Sequence, residues 1–176
     1  MSDRDRNYVS SVFEQNLMDQ DNFWVAAESG YWLMSFKKQW TELFKVQSKQ
    51  WMQTIRQIME EYCENIDGAV VEERSCTVVW NYKNAEEEHG SKFANELAQQ
   101  LQSQLGRKSP IEIAHGNGFI EVLPKKMTKK TVLKNILSNL QLYCNHQIES
   151  LLFIGAGLSD NQTFQYLKNR IEEDKH

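Results

Sequence analysis

Ala69–Leu123 reads AVVEERSCTVVWNYKNAEEEHGSKFANELAQQLQSQLGRKSPIEIAHGNGFIEVL, and this stretch decides the fold. Val70–Arg74 and Cys76–Tyr82 are β-rich runs separated by one serine. Side chains alternate sides along a strand, so Val78, Trp80 and Tyr82 share one face, and Glu72 and Arg74 share another with Val70. After a polar break at Lys83-Asn84, a long helix is expected from Ala85 to Leu105. Asn84 is its expected cap, with Glu87 three residues on as in a capping box, and Gly106 its stop. Glu86, Glu87 and Glu88 sit where the positive end of the helix dipole favours acids, so they call for no functional explanation. Pro110–His115 and Phe119–Leu123 form a second hairpin around Gly116-Asn117-Gly118. Four strands against one amphipathic helix make a sheet with one covered and one open face, and a ligand can lie on the open face.

Working outward, Ser48–Tyr62 is a helix with Trp51, Ile55, Ile58, Met59 and Tyr62 at the helical period. Trp40 and Phe44 precede it and are expected to pack on it. Ser2–Leu17 reads as a helix capped by Ser2 or Asp3. Phe23–Ala27 is a short apolar run suited to a strand buried on both faces, as in a parallel sheet. Tyr31–Met34 is a candidate second strand. Downstream, Thr128 caps a helix running to about Asn145, with Val132, Leu133, Ile136, Leu137, Leu140 and Tyr143 as its stripe. Ser150–Gly155 reads as another buried strand, Gly155–Asp160 as a loop, and Asn161–Glu172 as a helix with Phe164, Leu167 and Ile171 on one face. The fold class is therefore α/β, with an α+β segment inserted between two outer pieces.

The chain has 176 residues, 40% hydrophobic and 25% charged, which is ordinary globular composition. Its net charge of −4 and the absence of a basic run with interleaved aromatics argue against nucleic acid. No apolar run is long enough to span a membrane. Cys63, Cys76 and Cys144 form no CxxC pair, so neither a zinc site nor a disulfide framework is indicated, and a reduced, cytoplasmic setting is expected. His89, His115, His146 and His176 show no spacing that suggests a triad or metal cage. Taken as bare strand positions, Glu72 and Arg74 read as solvated surface.

Several stretches together resemble the trehalose-phosphate phosphatases, which are haloacid-dehalogenase-type (HAD) phosphatases also found as the C-terminal domains of trehalose-phosphate synthases. Ala26-Ala27-Glu28-Ser29-Gly30-Tyr31 is similar to the family's AAEHGY segment. Val78–Tyr82 followed by Lys83–Glu86 is similar to LVWNYKDAD. Ile120–Pro124 with Thr128-Lys129 resembles VEVxPxGVxKG, and Phe153-Ile154-Gly155 through Asp160 to Phe164 has the spacing of IGDDRSDEDMF. The resemblance implies a partial Rossmann-like HAD core over residues 1–34 and 127–176, with an α+β cap over 35–126. It implies phosphate removal from trehalose 6-phosphate through an aspartyl-phosphate, with a second aspartate as acid, and with magnesium and a lysine offsetting charge.

Residue by residue, the resemblance makes Lys129 the charge-neutralising lysine, although Lys130 stands at its usual following glycine. Asp160 matches the third aspartate of the magnesium loop and is the one remaining candidate metal ligand. Ser2 stands at the serine of ISGRD. The nucleophile segment DxDGT is not matched. Ala156 and Gly157 stand where the family has paired aspartates, and Asn161 and Gln162 replace the acids after Asp160. In the cap, Glu72 and Arg74 match the sugar-contacting ExK, Glu121 matches another sugar-contacting glutamate, and Asn117 falls near a contact lysine. Without a nucleophile strand, Phe23–Ala27 and Leu151–Gly155 are expected to flank a gap. A partner, an upstream segment or direct pairing of the two strands would complete it.

Three functions compete. The leading expectation is a non-catalytic, regulatory domain of trehalose biosynthesis. It would bind trehalose 6-phosphate, with a trehalose-phosphate synthase domain or subunit as partner and no metal. The second is a fragment of an active, magnesium-dependent phosphatase. The third is an interaction domain without ligand.

Overall fold

The structure is a computed structural model that describes residues 1, 2, 4–13, 18, 20, 23–35, 39–45, 48–105, 110–144, 150–155 and 160–173. It divides into two compact units, a discontinuous one over 1–43 and 126–176 and a continuous one over 44–125. The first boundary falls at residue 43 rather than 34 because a third strand extends the first sheet.

The continuous unit is organised by a four-stranded antiparallel sheet of order β4-β5-β7-β6. Its strands are β4 (Val70–Glu73), β5 (Val78–Asn81), β6 (Ile111–Gly116) and β7 (Phe119–Pro124). Val78 and Trp80 lie opposite Val122 and Ile120, and Ile113 opposite Val122. These residues share one face because directly opposed positions point the same way. Two helices cover that face, α2 (Gln50–Cys63) and α3 (Glu87–Leu105). They contribute Met52, Ile55, Ile58, Met59, Ala94, Leu97 and Leu101 to the core.

Trp80 is fully buried at the centre, with its ring centroid 4.9 Å from Tyr82 and 6.4 Å from Tyr62. Truncating it to alanine costs about 3–5 kcal/mol. The Tyr62 hydroxyl donates to Gln100 Oε1 at 2.8 Å, and burial first, then Glu96 and Glu61, push its ionisation up. The phenol therefore stays neutral, as an apolar neighbour requires.

The expected start of α3 is shifted. Asn84 lies in the turn before the helix, which opens at Glu87. Gly106 lies outside the described residues. In the β6–β7 turn only Gly118 takes a left-handed φ, at 80°, and Asn117 stays in the ordinary region.

The discontinuous unit holds a three-stranded sheet, β1 (Val25–Ala27), β2 (Trp32–Met34) and β3 (Trp40–Glu42), with antiparallel neighbours. Trp40 packs there with Val9, Val25, Ala27 and Met34, not on α2 as its position in the sequence suggested. The first helix, α1, is shorter than expected, at Arg6–Val12. Its cap is Asp5, whose carboxylate accepts from the N–H groups of Asn7 and Tyr8. Expected cap Asp3 and the helix end at Leu17 lie outside the described residues.

β1 is buried on both faces, as its sequence predicts, yet its pairing is antiparallel with β2 on one side. On the other side Ser2 N–H donates to Ala26 O at 2.8 Å and Glu28 N–H to Arg4 O at 2.9 Å. Both edges of β1 are therefore occupied, and direct pairing with Leu151–Gly155 does not occur.

Residues 151–155 form no strand, a second departure from expectation. Leu152 and Ile154 are 84% and 85% exposed, while Phe153 turns its ring onto Phe164. An apolar run becomes a strand only where another strand takes up its backbone groups.

Two helices complete the unit. In α4 (Lys129–Cys144), Thr128 caps the start through Oγ1, which accepts from Thr131 N–H at 3.2 Å, and Val132, Leu133 and Leu137 are buried. In α5 (Asn161–Glu173) the expected stripe is exposed at Phe164 and Ile171, and the fully buried side chain is Thr163.

Amide hydrogen exchange separates the two apolar runs. Glu28, whose N–H donates to Arg4 O, should exchange at least about a hundredfold more slowly than random coil, and Leu152–Ile154 at close to the coil rate. Equal protection of the two runs would contradict this arrangement.

Candidate functional site

Two polar constellations stand out, one in each unit. On the sheet of the continuous unit, the face away from the helices carries Glu72, Val79, Glu121 and Ala114 in one cross-strand row. Arg74 lies just past β4, where its N–H bonds Thr77 O. Its guanidinium spans two carboxylates, with Nη1 at 3.4 Å from Glu121 Oε1 and Nη2 at 3.4 Å from Glu72 Oε2. Asn81 Nδ2 donates to Glu72 Oε1 at 3.1 Å.

The arginine and Glu121 are largely enclosed, with side chains 17% and 12% exposed, whereas Glu72 is 41% exposed. Thr77, on the same face by strand alternation, is buried, and its Oγ1 has no partner among the described residues. The group is thus not plain solvated surface. It pairs a fixed planar donor set with two carboxylate acceptors, which suits a ligand rich in hydroxyl groups. Arg–carboxylate contacts at 3.4 Å are long for charge-assisted bonds, so these groups can give up part of one another to an incoming ligand.

The structure thus brings together Glu72, Arg74 and Glu121. It does not bring Asn117 to them, because Asn117 occupies the exposed β6–β7 turn. Sequence reasoning missed Asn81. The signal was available, since Asn81 shares the face of Val79 and lies opposite Val70, two positions before Glu72.

In the discontinuous unit, Lys129 Nζ lies 3.0 Å from Asp160 Oδ1, with both side chains about nine-tenths buried. The N-terminal end of α4 supplies the lysine, and the residue just before α5 supplies the aspartate. Thr163 Oγ1, one turn on, is buried without a partner among the described residues. A Cβ placed on Gly155 would meet Asp160 Oδ2 at 2.8 Å, so the carboxylate lies directly over that glycine.

Ser2 is placed differently. Its Oγ accepts from Arg4 N–H at 3.1 Å, and its carbonyl accepts from Ser29 N–H at 3.1 Å. It braces the turn after β1, where Glu28, Ser29 and Gly30 all take left-handed φ values of 50°, 52° and 99°. A Cβ on Gly30 would sit 1.9 Å from Val132 Cγ2, so only glycine lets this turn seat on α4, one turn after Lys129.

A magnesium ion would find a poor donor set here. One oxygen of Asp160 holds the lysine ammonium and the other lies over Gly155. Ala156 and Gly157 lie outside the described residues, and neither residue type carries a side-chain oxygen. Magnesium takes near-octahedral oxygen ligation built on carboxylates and water, and among the described residues the carboxylate of Asp160 already faces an ammonium.

A family model described as trehalose-phosphatase matches residues 8–176. The chain belongs to the trehalose-phosphatase family. The alpha,alpha-trehalose-phosphate synthase [UDP-forming] 6 of Arabidopsis thaliana is 31% identical over 149 residues, covering 84% of this chain and 17% of that protein. Among solved structures, the C-terminal domain of C. albicans trehalose-6-phosphate phosphatase is similar with a TM-score of 0.80 at 22% identity. That match covers 99% of this chain and 60% of that one. The C-terminal domain of the Candida albicans trehalose synthase regulatory protein follows with a TM-score of 0.73 at 16% identity, covering 99% and 67%.

The α/β fold is accordingly that of HAD-type trehalose-phosphatase domains. The chain spans 17% of the length of the plant relatives it matches. Among the described residues, no helix is long and apolar enough to cross a membrane.

The buried pair gives a test by double-mutant cycle. Lys129→Met or Asp160→Leu alone should cost about 3–5 kcal/mol of unfolding free energy, since each leaves an uncompensated buried charge. The double variant should recover most of that loss. Additive losses in urea melts would mean that the two charges are not coupled.

Proposed function

We propose that this chain is a non-catalytic trehalose-phosphatase-like domain that binds trehalose 6-phosphate and regulates trehalose biosynthesis. In this reading the continuous unit is the family's cap, and Glu72, Arg74 and Glu121 hold the sugar hydroxyls, with Asn81 orienting Glu72. The discontinuous unit is the HAD core, and Lys129, Asp160 and Ser2 are relics of its active site. No magnesium is needed, the setting is cytoplasmic, and a trehalose-phosphate synthase domain or subunit is the partner.

One observation carries the reading: the sugar-side charges are assembled around Arg74 while the metal-side carboxylates are replaced by Ala156 and Gly157. The likeness to the C-terminal domain of a trehalose synthase regulatory protein supports it as well.

A nuclear magnetic resonance titration with trehalose 6-phosphate tests the proposal. Amide shifts are expected around Arg74, Asn81 and Glu121, unchanged by added magnesium. Arg74→Gln should weaken binding roughly 10–100-fold, the worth of a hydrogen bond to a charged group. Shifts that require magnesium and extend to Lys129 and Asp160 would favour an active phosphatase instead. No shift at saturating ligand would favour an interaction domain that has lost its ligand.

A further inference from the structure

The second sheet ends on one side at β6, and the hydrogen-bond phase of that strand can be fixed from the structure. Lys125 N–H donates to Pro110 O at 2.9 Å, which continues the β6–β7 register of Ile111 opposite Pro124 and Gly116 opposite Phe119. Narrow, bonded pairs recur at every second residue, so Glu112, Ala114 and Gly116 turn their backbone groups to β7. Ile113 and His115 turn theirs outward. Neither has a backbone partner on that side among the described residues.

Natural sheets protect such an edge with lysine, proline or a bulge. Ile111–Gly116 contains no lysine and no proline. Beside the edge lies a groove of about 460 Å³. Ala98, Gln102 and Leu105 of α3 line it together with residues 111–113 and His115 of β6, and Lys125 stands at the end away from the turn.

We propose that a second copy of this chain pairs with this edge, β6 against β6, about a two-fold axis through Ala114. Strand parity and strand chemistry both select this pairing. The axis stands perpendicular to the sheet and keeps each face on its own side, so opposed residues must have the same parity. Outward-facing Ile113 and His115 then face the partner's His115 and Ile113. Their N–H and C=O groups bond to each other, and their side chains lie over the joined grooves. On the other face Ala114 meets Ala114 of the second copy, where a small side chain suits the close, non-hydrogen-bonded pair of about 4.5 Å between Cα atoms.

Glu112 comes opposite the partner's Gly116, so no like charges are opposed across the junction. The register lies toward the turn end of β6 and does not use Ile111. The result is one continuous sheet built from both copies, with an α3 helix flanking each side of the junction.

The test uses the whole chain. Sedimentation equilibrium should show the average mass rising from 20.7 kDa toward twice that value between micromolar and several hundred micromolar protein. His115→Pro removes an outward N–H without touching the β7 ladder, so it should weaken association at least about tenfold while the melting temperature changes little.

A second pair of variants does not depend on that proline folding. Ala114→Cys should cross-link to itself under mild oxidation, whereas Glu112→Cys and the unaltered chain, with its native cysteines, should not. A chain that stays monomeric throughout the range would overturn the proposal. So would a dimer unaffected by folded His115→Pro, or cross-linking at Glu112→Cys as fast as at Ala114→Cys. In the monomeric case, the edge and groove would be left to an extended peptide of another protein.

Discussion

The two-residue period of β5 sets the arrangement of the whole continuous unit. Val78 and Trp80 point to the helices, and Thr77, Val79 and Asn81 point the other way. Shifting the strand by one residue would put Asn81 into the core and expose Trp80, a change far larger than the stability of a typical domain allows. Because Trp80 fixes the register, the partners of β5 follow. Ile120 lies beside Trp80, which places Glu121 on the opposite face, level with Glu72. The guanidinium of Arg74 can then bridge the two carboxylates. The hydrophobic core thus locates the polar site, although no atom of that site belongs to the core.

The discontinuous unit contributes a different kind of constraint. A lysine and an aspartate buried together are stable mainly as a pair, and each is costly without the other. Lys129 and Asp160, 3.0 Å apart and both enclosed, thus have a structural reason to be kept together that is separate from any chemistry.

Local signals located several elements, although the caps of α1 and α3 and the stripe of α5 fell elsewhere than expected. Thr128 capped its helix, the periodicity of α2 and α3 located their buried faces, and the order β4-β5-α3-β6-β7 followed from alternation and turn residues. The sequence was less legible where pairing partners decide. Phe23–Ala27 and Leu151–Gly155 look alike as apolar runs, yet one finds neighbours on both edges and the other forms no strand. Trp40 looked like a helix neighbour and became a strand residue, because β2 offered an edge.

In the site, Glu72, Arg74 and Glu121 came from family resemblance. Plain alternation would have left them as surface, since it cannot reveal that Arg74 and Glu121 are enclosed. Asn81 is brought to Glu72 by the cross-strand register and not by any local motif. Asn117 lies in the expected β6–β7 turn, away from the sheet face that carries Glu72, Arg74 and Glu121.

In the function proposed above, this domain holds trehalose 6-phosphate without cleaving it. The most direct measurement follows inorganic phosphate in a solution of the protein, trehalose 6-phosphate and magnesium, with the melting temperature recorded on the same samples. A ligand that binds only the folded state raises that temperature by mass action. The account predicts a rise that depends on the sugar phosphate, with no phosphate released above the protein-free blank. Saturable, magnesium-dependent release of phosphate would contradict it.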